Sequence, residues 1–419
     1  MNRLAVIGAG VVGVATALEL ARAGHDTVVF DRRATIAEEA SFGCTGLAAH
    51  GWPWPWPIDG DPVPAWGSPA PQGWLDRLRR RPSGMDDAQL AMRSQQLRQL
   101  ILLGEDMLDP SLSRTKPDNA DEEDSCTDEG SLLVFWRREE GHDLVRSRLD
   151  VLADAGLPIK GLDADTVQAL EPGLNPDTPL ARALGIGQAF CAVPRQAAMQ
   201  WRDAAQAAGV RLEMTKDITA ITAGTRPAVR WRDAGTGSLQ EASFDGVIVC
   251  AGAGSAALLR TAGWRGQSWL LQGKSLSAPV SDPLFAPRHP VFDADRQALI
   301  VADNGRLRVA GLFEPARPSA APSAREAYAG LYQVLEDWFP GAARLRGQHQ
   351  GAVQHWEAVI GRTRDGLPRI GTSGLPGIWV NMDHGTQGWA TAPGSALLLA
   401  TLVSGTPAPV DPSPFTPLR

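Results

Sequence analysis

The chain has 419 residues, of which 43% are hydrophobic and 21% charged, and its formal net charge is −7. That composition is ordinary for a water-exposed globular protein long enough for two domains, and the acidic balance excludes nucleic acid as the main partner. Four cysteines, Cys44, Cys126, Cys191 and Cys250, stand far apart with no Cys-x-x-Cys pair, so no metal or cluster site is expected and a reducing cytoplasm is.

The first strand is expected at Leu4–Ile7 and runs into Gly8-Ala9-Gly10-Val11-Val12-Gly13. This is the G-x-G-x-x-G spacing in its required context of strand, turn and helix. Gly8 permits the tight turn, Gly10 lets backbone approach a pyrophosphate, and Gly13 lets helix and strand pack closely. The helix, from Val14 to about Arg22, offers N–H groups and a positive dipole end to the phosphates, with Val11 and Val12 in the turn that feeds it. Gly24 closes that helix and Thr27–Phe30 reads as a second buried strand. Asp31 at its end is placed to accept hydrogen bonds from a ribose diol, with Arg32 and Arg33 beside it. The acid repels a 2′-phosphate and disfavours NADP; the motif leaves NAD and FAD open.

Residues 51–74 are rich in Trp and Pro, opening Gly51-Trp52-Pro53-Trp54-Pro55-Trp56-Pro57. Alternating prolines forbid a helix there. Trp52 and Trp54 either line a pocket or pack as a surface loop. Gln89–Leu108 reads as an amphipathic helix, Lys116–Gly130 as an exposed acidic loop, and Leu132–Trp136 as a strand. Helices are expected at Gly141–Ala155, Asp163–Leu170 and from Pro194 to about Ala208. Strands at Val210–Met214 and Ala228–Arg232 precede Phe244–Cys250, a buried strand entering the turn Ala251-Gly252-Ala253-Gly254. β-type patterns fill 267–311, followed by a helix at Glu326–Trp338, a strand at Ile378–Asn381 and a helix at Thr391–Val403. The apolar run Ala396–Val403 is too short to span a bilayer, and the N-terminus enters the first strand without a signal-peptide pattern. Peripheral membrane contact stays open, as does oligomeric state.

Three later segments carry a resemblance. Glu39-Ala40-Ser41-Phe42-Gly43-Cys44-Thr45-Gly46 resembles "TSFANAG"; Trp356–Gly371 resembles "WxGLRPxTPDGxPxIG"; and Asp383-His384-Gly385-Thr386-Gln387-Gly388-Trp389 resembles "GHGTxGW". Over almost its whole length the chain resembles bacterial D-amino-acid dehydrogenases, within the wider D-amino-acid oxidase, glycine oxidase and sarcosine oxidase group. The fold implied is α/β (α+β overall). A discontinuous Rossmann-like FAD-binding domain is expected over 1–88, 191–266 and 351–419, with a substrate domain on a mainly antiparallel sheet interleaved at 89–190 and 267–350.

The resemblance implies non-covalent FAD and oxidation of an amino acid, cyclic or not, at its Cα–N bond by hydride transfer to flavin N5. Electrons then leave to a quinone or a carrier protein. An oxidase using dioxygen and a non-catalytic flavin-bearing subunit remain alternatives. Ala40, Ser41, Cys44, Thr45, Gly46 and Leu47 are expected against the flavin, with Ala251, Gly252 and Gly361 nearby. Gly385, Thr386, Gln387, Gly388 and Trp389 are expected at the ring carbonyl that gains charge on reduction, where a helix N-terminus helps.

Holding an amino-acid carboxylate calls for an arginine fork. Arg362 is the first candidate and Arg364 the second, with Trp356 alongside as a substrate contact. His384 is read either as a catalytic base or as a hydrogen-bonding residue beside the ring. Lys274, standing where the group has a tyrosine, is either a solvated strand residue or a cation facing the flavin that favours dioxygen. Cys44 replaces the group's asparagine and reads as a small buried residue, with covalent attachment to flavin as the alternative.

Overall fold

The computed structural model describes residues 2–52, 86–107, 126, 131–143, 145–316, 324–343, 345 and 352–418. Trp54, the Trp/Pro-rich stretch after Trp52 and nearly all of the expected acidic loop lie outside the described residues. In chain order the strands are β1 (Arg3–Ile7), β2 (Asp26–Phe30), β3 (Leu47–Ala49), β4 (Leu132–Trp136), β5 (Ile159–Leu162), β6 (Arg182–Ile186), β7 (Ala189–Cys191), β8 (Arg211–Glu213), β9 (Lys216–Thr222) and β10 (Ala228–Asp233). They continue as β11 (Leu239–Ser243), β12 (Gly246–Val249), β13 (Trp269–Pro279), β14 (Val291–Asp293), β15 (Ala298–Asp303), β16 (Arg306–Pro315), β17 (Gln354–Arg362), β18 (Arg369–Thr372) and β19 (Ile378–Met382). The helices are α1 (Val11–Arg22), α2 (Ala40–Gly43), α3 (Asp87–Leu103), α4 (Glu139–Asp143), α5 (Arg146–Asp154), α6 (Ala164–Leu170), α7 (Pro194–Ala207), α8 (Ser255–Thr261), α9 (Ala324–Trp338) and α10 (Gly388–Ser404).

Strands from the start, middle and end of the chain form one sheet, ordered β18-β19-β12-β1-β2-β8. β1 runs parallel to both β2 and β12. The buried runs Leu4–Ile7, Val28–Phe30 and Val247–Val249 explain why: strands covered on both faces read as continuous apolar segments. β1 lies where the chain steps to one side for β2 and later to the other for β12. That reversal opens a crevice at the strands' carboxyl ends.

The second sheet is ordered β17-β13-β16-β15-β14-β4-β6-β5 and is antiparallel except for the β14–β4 pair. Its β13 register decides which side chains share a face. Ser275 lies opposite Ala310 and Trp356, whereas Leu276 lies opposite Val309 and His355. Leu276 and Val309 pack into a core with Leu331, Leu335 and Trp338 of α9, so Ser275 and its neighbours face the other way.

The expected helix Gly141–Ala155 is instead two, α4 and α5. The helix expected to reach Leu108 stops at Leu103, because α10 crosses there: a Cβ on Gly104 would fall 2.3 Å from the Gly394 nitrogen. The terminal helix begins at Gly388, three residues before the expected Thr391.

Charges tie α9 to the second sheet. Arg137 donates to Asp293 Oδ2 at 2.7 and 3.0 Å and to Asp337 at 2.8 Å, and Trp338 Nε1 donates to Asp293 at 2.8 Å. Asp293 is 0% exposed. Asp293→Ala should therefore cost about 3–5 kcal/mol, since Arg137 would keep its burial and lose its main partner. Thermal unfolding of the variant against the parent checks this; coincident melts would mean that the cluster adds nothing.

Candidate functional site

A cleft of about 490 Å³ opens at the carboxyl ends of β1 and β12. At one end is the glycine turn. Gly8 has φ +107°, and a Cβ there would lie 2.5 Å from the Cys250 carbonyl oxygen. A Cβ on Gly13 would lie 1.8 Å from the Gly8 oxygen, so α1 can start against β1 only with glycine at both places. Gly10 and the first residues of α1, Val11 and Val12, line the cleft. The Val11 nitrogen is met by Ser41 Oγ at 3.2 Å.

Asp31 lines the cleft and braces the turn: its two oxygens accept from the Ala9 and Arg33 nitrogens at 2.6 and 2.7 Å. Burial holds its carboxyl above the usual range. Arg32 and Arg33 also border the cleft, with their guanidiniums bound to Glu39 at 2.8 and 2.9 Å.

Ala40, Ser41, Cys44 and Thr45 line the next wall. Gly43 is pressed on Trp356, whose Nε1 donates to the Glu39 carbonyl at 3.0 Å. Burial pushes the Cys44 thiol up, which keeps it protonated and unreactive. Gly46 and Leu47 turn away into the pairing of β3 with β7. There Gly46, at φ +79°, passes so close that a Cβ would meet the Ala192 oxygen at 1.8 Å. After β12, Ala251 and Gly252 line the cleft, and added Cβ atoms on Gly252 and Gly254 would meet nothing within 4 Å.

The far end is built by residues 383–389. Asp383, at φ +62°, is held by Arg369 and by Ser268 Oγ at 2.7 Å, and it passes so near Gly361 that a Cβ there would fall 2.6 Å from Asp383 Oδ1. This turn delivers Gly385, Thr386, Gly388 and Trp389 to the cleft. Gln387 instead donates to the Trp52 carbonyl at 2.6 Å. Trp389 stacks on Trp201 at 5.5 Å, and its buried Nε1 has no partner among the described residues.

His384 borders the cleft with both ring nitrogens engaged, Nδ1 with Thr391 Oγ1 at 2.8 Å and Nε2 with Asn381 Oδ1 at 2.9 Å. Asn381 Nδ2 donates to Thr16 Oγ1 and Ser395 Oγ, which fixes its amide so that Oδ1 faces the imidazole. Nε2 therefore carries the proton, and the single Thr391 hydroxyl proton is contested between Nδ1 and the Gln387 carbonyl, 2.8 Å away. Burial pushes this imidazole down to about 3.

The sheet wall is Gly273, Ser275, Phe313, Trp356, Ala358 and Ile360. Counted residue for residue from Trp356, the arginine of the resembled motif falls on Ile360. Arg362 stands two residues further, half-buried beside His384 and Gly385, with Nε donating to the Thr363 carbonyl at 3.2 Å; Arg364 is exposed. Strand alternation puts Lys274 opposite Glu357 on the reverse face, and its ammonium binds Glu314 at 3.1 Å. Lys274 is also among the residues that line the cleft. Trp52, 3% exposed, packs with Ala49, Leu90 and Leu132. Sequence reasoning missed Ser275, Phe313 and Ile360, although their alternation along β13, β16 and β17 was a usable signal.

A glycine turn, an acid at the next strand, open glycine edges and a helix N-terminus, in that order along one cleft, fit an extended dinucleotide ending in a flat ring. A family profile described as FAD dependent oxidoreductase matches residues 3–402. The chain is 31% identical to "D-amino acid dehydrogenase" of Cereibacter sphaeroides, covering 96% of this chain and 92% of that protein. It is also 31% identical to "D-amino acid dehydrogenase" of Rhizorhabdus wittichii, with 96% of each covered. Among solved structures it superposes on glycine oxidase from Geobacillus kaustophilus with a TM-score of 0.71 at 21% identity, over 99% of this chain and 98% of that one. L-proline dehydrogenase from P. horikoshii gives 0.70 at 14% identity over 100% and 97%; at these identities the likeness is one of fold. A cleft built for a flavin dinucleotide and a family match over nearly the whole sequence agree, and the chain belongs to the FAD-dependent oxidoreductases of the DAO family.

Proposed function

We propose that the protein oxidises D-amino acids at the Cα–N bond and passes the electrons to a quinone or a carrier protein. The observation that carries this reading is near-full-length similarity to proteins named D-amino acid dehydrogenase, together with a cleft that continues past the dinucleotide turn to a sheet wall. Gly8, Gly10 and the start of α1 would hold the pyrophosphate, and Asp31 the ribose. Ser41, Cys44, Gly252, Gly361, Gly385 and Gly388 would border the ring. When bound, the flavin supplies the hydride acceptor. The chain's own work is alignment of the substrate and exclusion of water, the larger part of such catalysis.

His384 serves this site as a neutral hydrogen-bonding post that orients the turn before α10. Burial leaves it poorly suited to take a proton. Lys274, neutralised by Glu314 on the reverse face, gives no positive charge to the ring side, which favours the dehydrogenase reading over the oxidase.

The purified protein should release FAD on denaturation, and Gly13→Ala should lower its FAD content, because the new Cβ drives α1 off the turn. Full FAD occupancy in Gly13→Ala would refute that account of the turn. Anaerobic addition of D-amino acids should bleach the bound flavin, with dye-linked turnover far above oxygen consumption. Lys274→Met should leave both rates unchanged; a selective fall in oxygen reactivity would restore the oxidase reading, and failure of every amino acid to bleach the flavin would remove both.

His384 also predicts a pH dependence. Its folded-state pKa lies below the ordinary 6.5, so between those values the unfolded chain binds the proton and the folded one does not. Stability should fall as pH drops from about 6.5 toward 3, and His384→Gln should reduce that fall. An imidazole titrating near its ordinary value by NMR would contradict the buried neutral assignment.

A further inference from the structure

A second cavity, of about 340 Å³, adjoins the cleft, and the two share Gly43, Ser275 and Trp356. Its sheet wall is polar: Ser275 and Ser277 on β13, Gln354 on β17 and Arg308 on β16. The register makes these one face, since Ser277 lies opposite both Arg308 and Gln354. Phe42, 4.7 Å from Trp356 between ring centroids, also lines the cavity.

Arg308 makes no ion pair among the described residues, although the Asp303 carboxylate lies close enough to favour its charge. Desolvation pushes its guanidinium below the usual range. Its hydrogen bond among the described residues runs from Nη1 to the neutral Cys44 carbonyl, which leaves most of its N–H fork unused. Arg137 and Arg369, by contrast, pair with Asp293 and Asp383. Ser275, 6% exposed, has a hydroxyl with no hydrogen-bond partner among the described residues, at the junction of the two spaces. A half-buried cation short of hydrogen-bond acceptors and an idle hydroxyl facing one cavity are complementary to a small anion.

We propose that this cavity receives the carboxylate of the substrate, with Arg308 as the cationic anchor and Ser275 as a second donor, while the rest of the substrate reaches through the junction into the cleft. The proposal rests on the amino-acid reading and assigns the carboxylate to a different arginine from Arg362. Arg362 follows the last cleft-lining residue of β17 and turns onto its neighbour's carbonyl, whereas Arg308 lines the second cavity. A planar fork gives a carboxylate two parallel bonds and so fixes its orientation, which is what aligning a single C–H bond requires.

Propionate and propionamide, alike in size and different in charge, are the probes, titrated against the FAD-loaded protein by perturbation of the flavin absorbance and by thermal shift. The parent should prefer propionate. Arg308→Met should weaken propionate by about 30-fold or more, with propionamide binding and FAD content unchanged, and Arg308→Lys should recover part of the loss. Should Arg308→Met fail to retain FAD, Arg308→Gln, which keeps a donor for the Cys44 carbonyl, carries the same comparison. Equal loss of both probes, unchanged propionate binding, or selective loss in Arg362→Met instead would overturn the proposal. The probes are inert, so a protein that selects propionate through Arg308 yet is reduced by no amino acid would keep this site and lose the dehydrogenase assignment.

Discussion

The close approach of α1 to β1 is the constraint on which the rest of the site depends. Gly13 sits where a side chain would overlap the Gly8 carbonyl, and Gly8 where one would overlap that of Cys250. Three backbones, from β1, α1 and the end of β12, therefore meet at van der Waals distance. Their spacing sets where the helix N-terminus points and how wide the cleft opens between the first and middle parts of the chain. No side-chain adjustment relieves a clash between backbones, so the geometry is all or nothing.

A buried polar network carries that geometry to the far end of the cleft. Thr16 on α1, Asn381 on β19, Ser395 and Thr391 on α10, and His384 are bonded in one continuous chain. The Thr16 and Ser395 hydroxyls donate onward to the Val12 and Ala392 carbonyls. Each hydrogen bond contributes only about 0.5–1.5 kcal/mol net, but a buried group left unmet costs about 1–3 kcal/mol. Removing any member therefore costs more than its own bond. Such a network specifies one arrangement of α1, β19 and α10, and with it the position of the α10 N-terminus beside Gly385 and Gly388.

The second sheet contributes by alternation. Along β13 adjacent residues have opposite fates: Ser275 faces the cleft and the second cavity, while Lys274 pairs with Glu314 behind it and Leu276 enters the α9 core. A slip of one residue would exchange the polar wall for the apolar one, so burial of Leu276 and Val309 under α9 fixes the chemistry presented in front. Packing on one face thus determines recognition on the other.

The βαβ opening was legible in the sequence because its determinants are local. Apolar runs of strand length, glycines at fixed offsets and a terminal acid lie within about thirty residues of one another, the span of such a unit. The buried strand before Gly252 and the terminal helix were legible for the same reason. Tertiary structure alone decided the rest. That Trp52 packs in a core, that Gln387 reaches its carbonyl, and that helix α3 stops at Gly104 depend on segments hundreds of residues away. Arg362 and Arg308 differ little as sequence features. The strand register, set by pairing of β13 with β16 and β17, turns one toward its own backbone and the other toward the second cavity. A sequence records which residues alternate, but which of the two faces meets the ligand is set only when both faces have something to pack against.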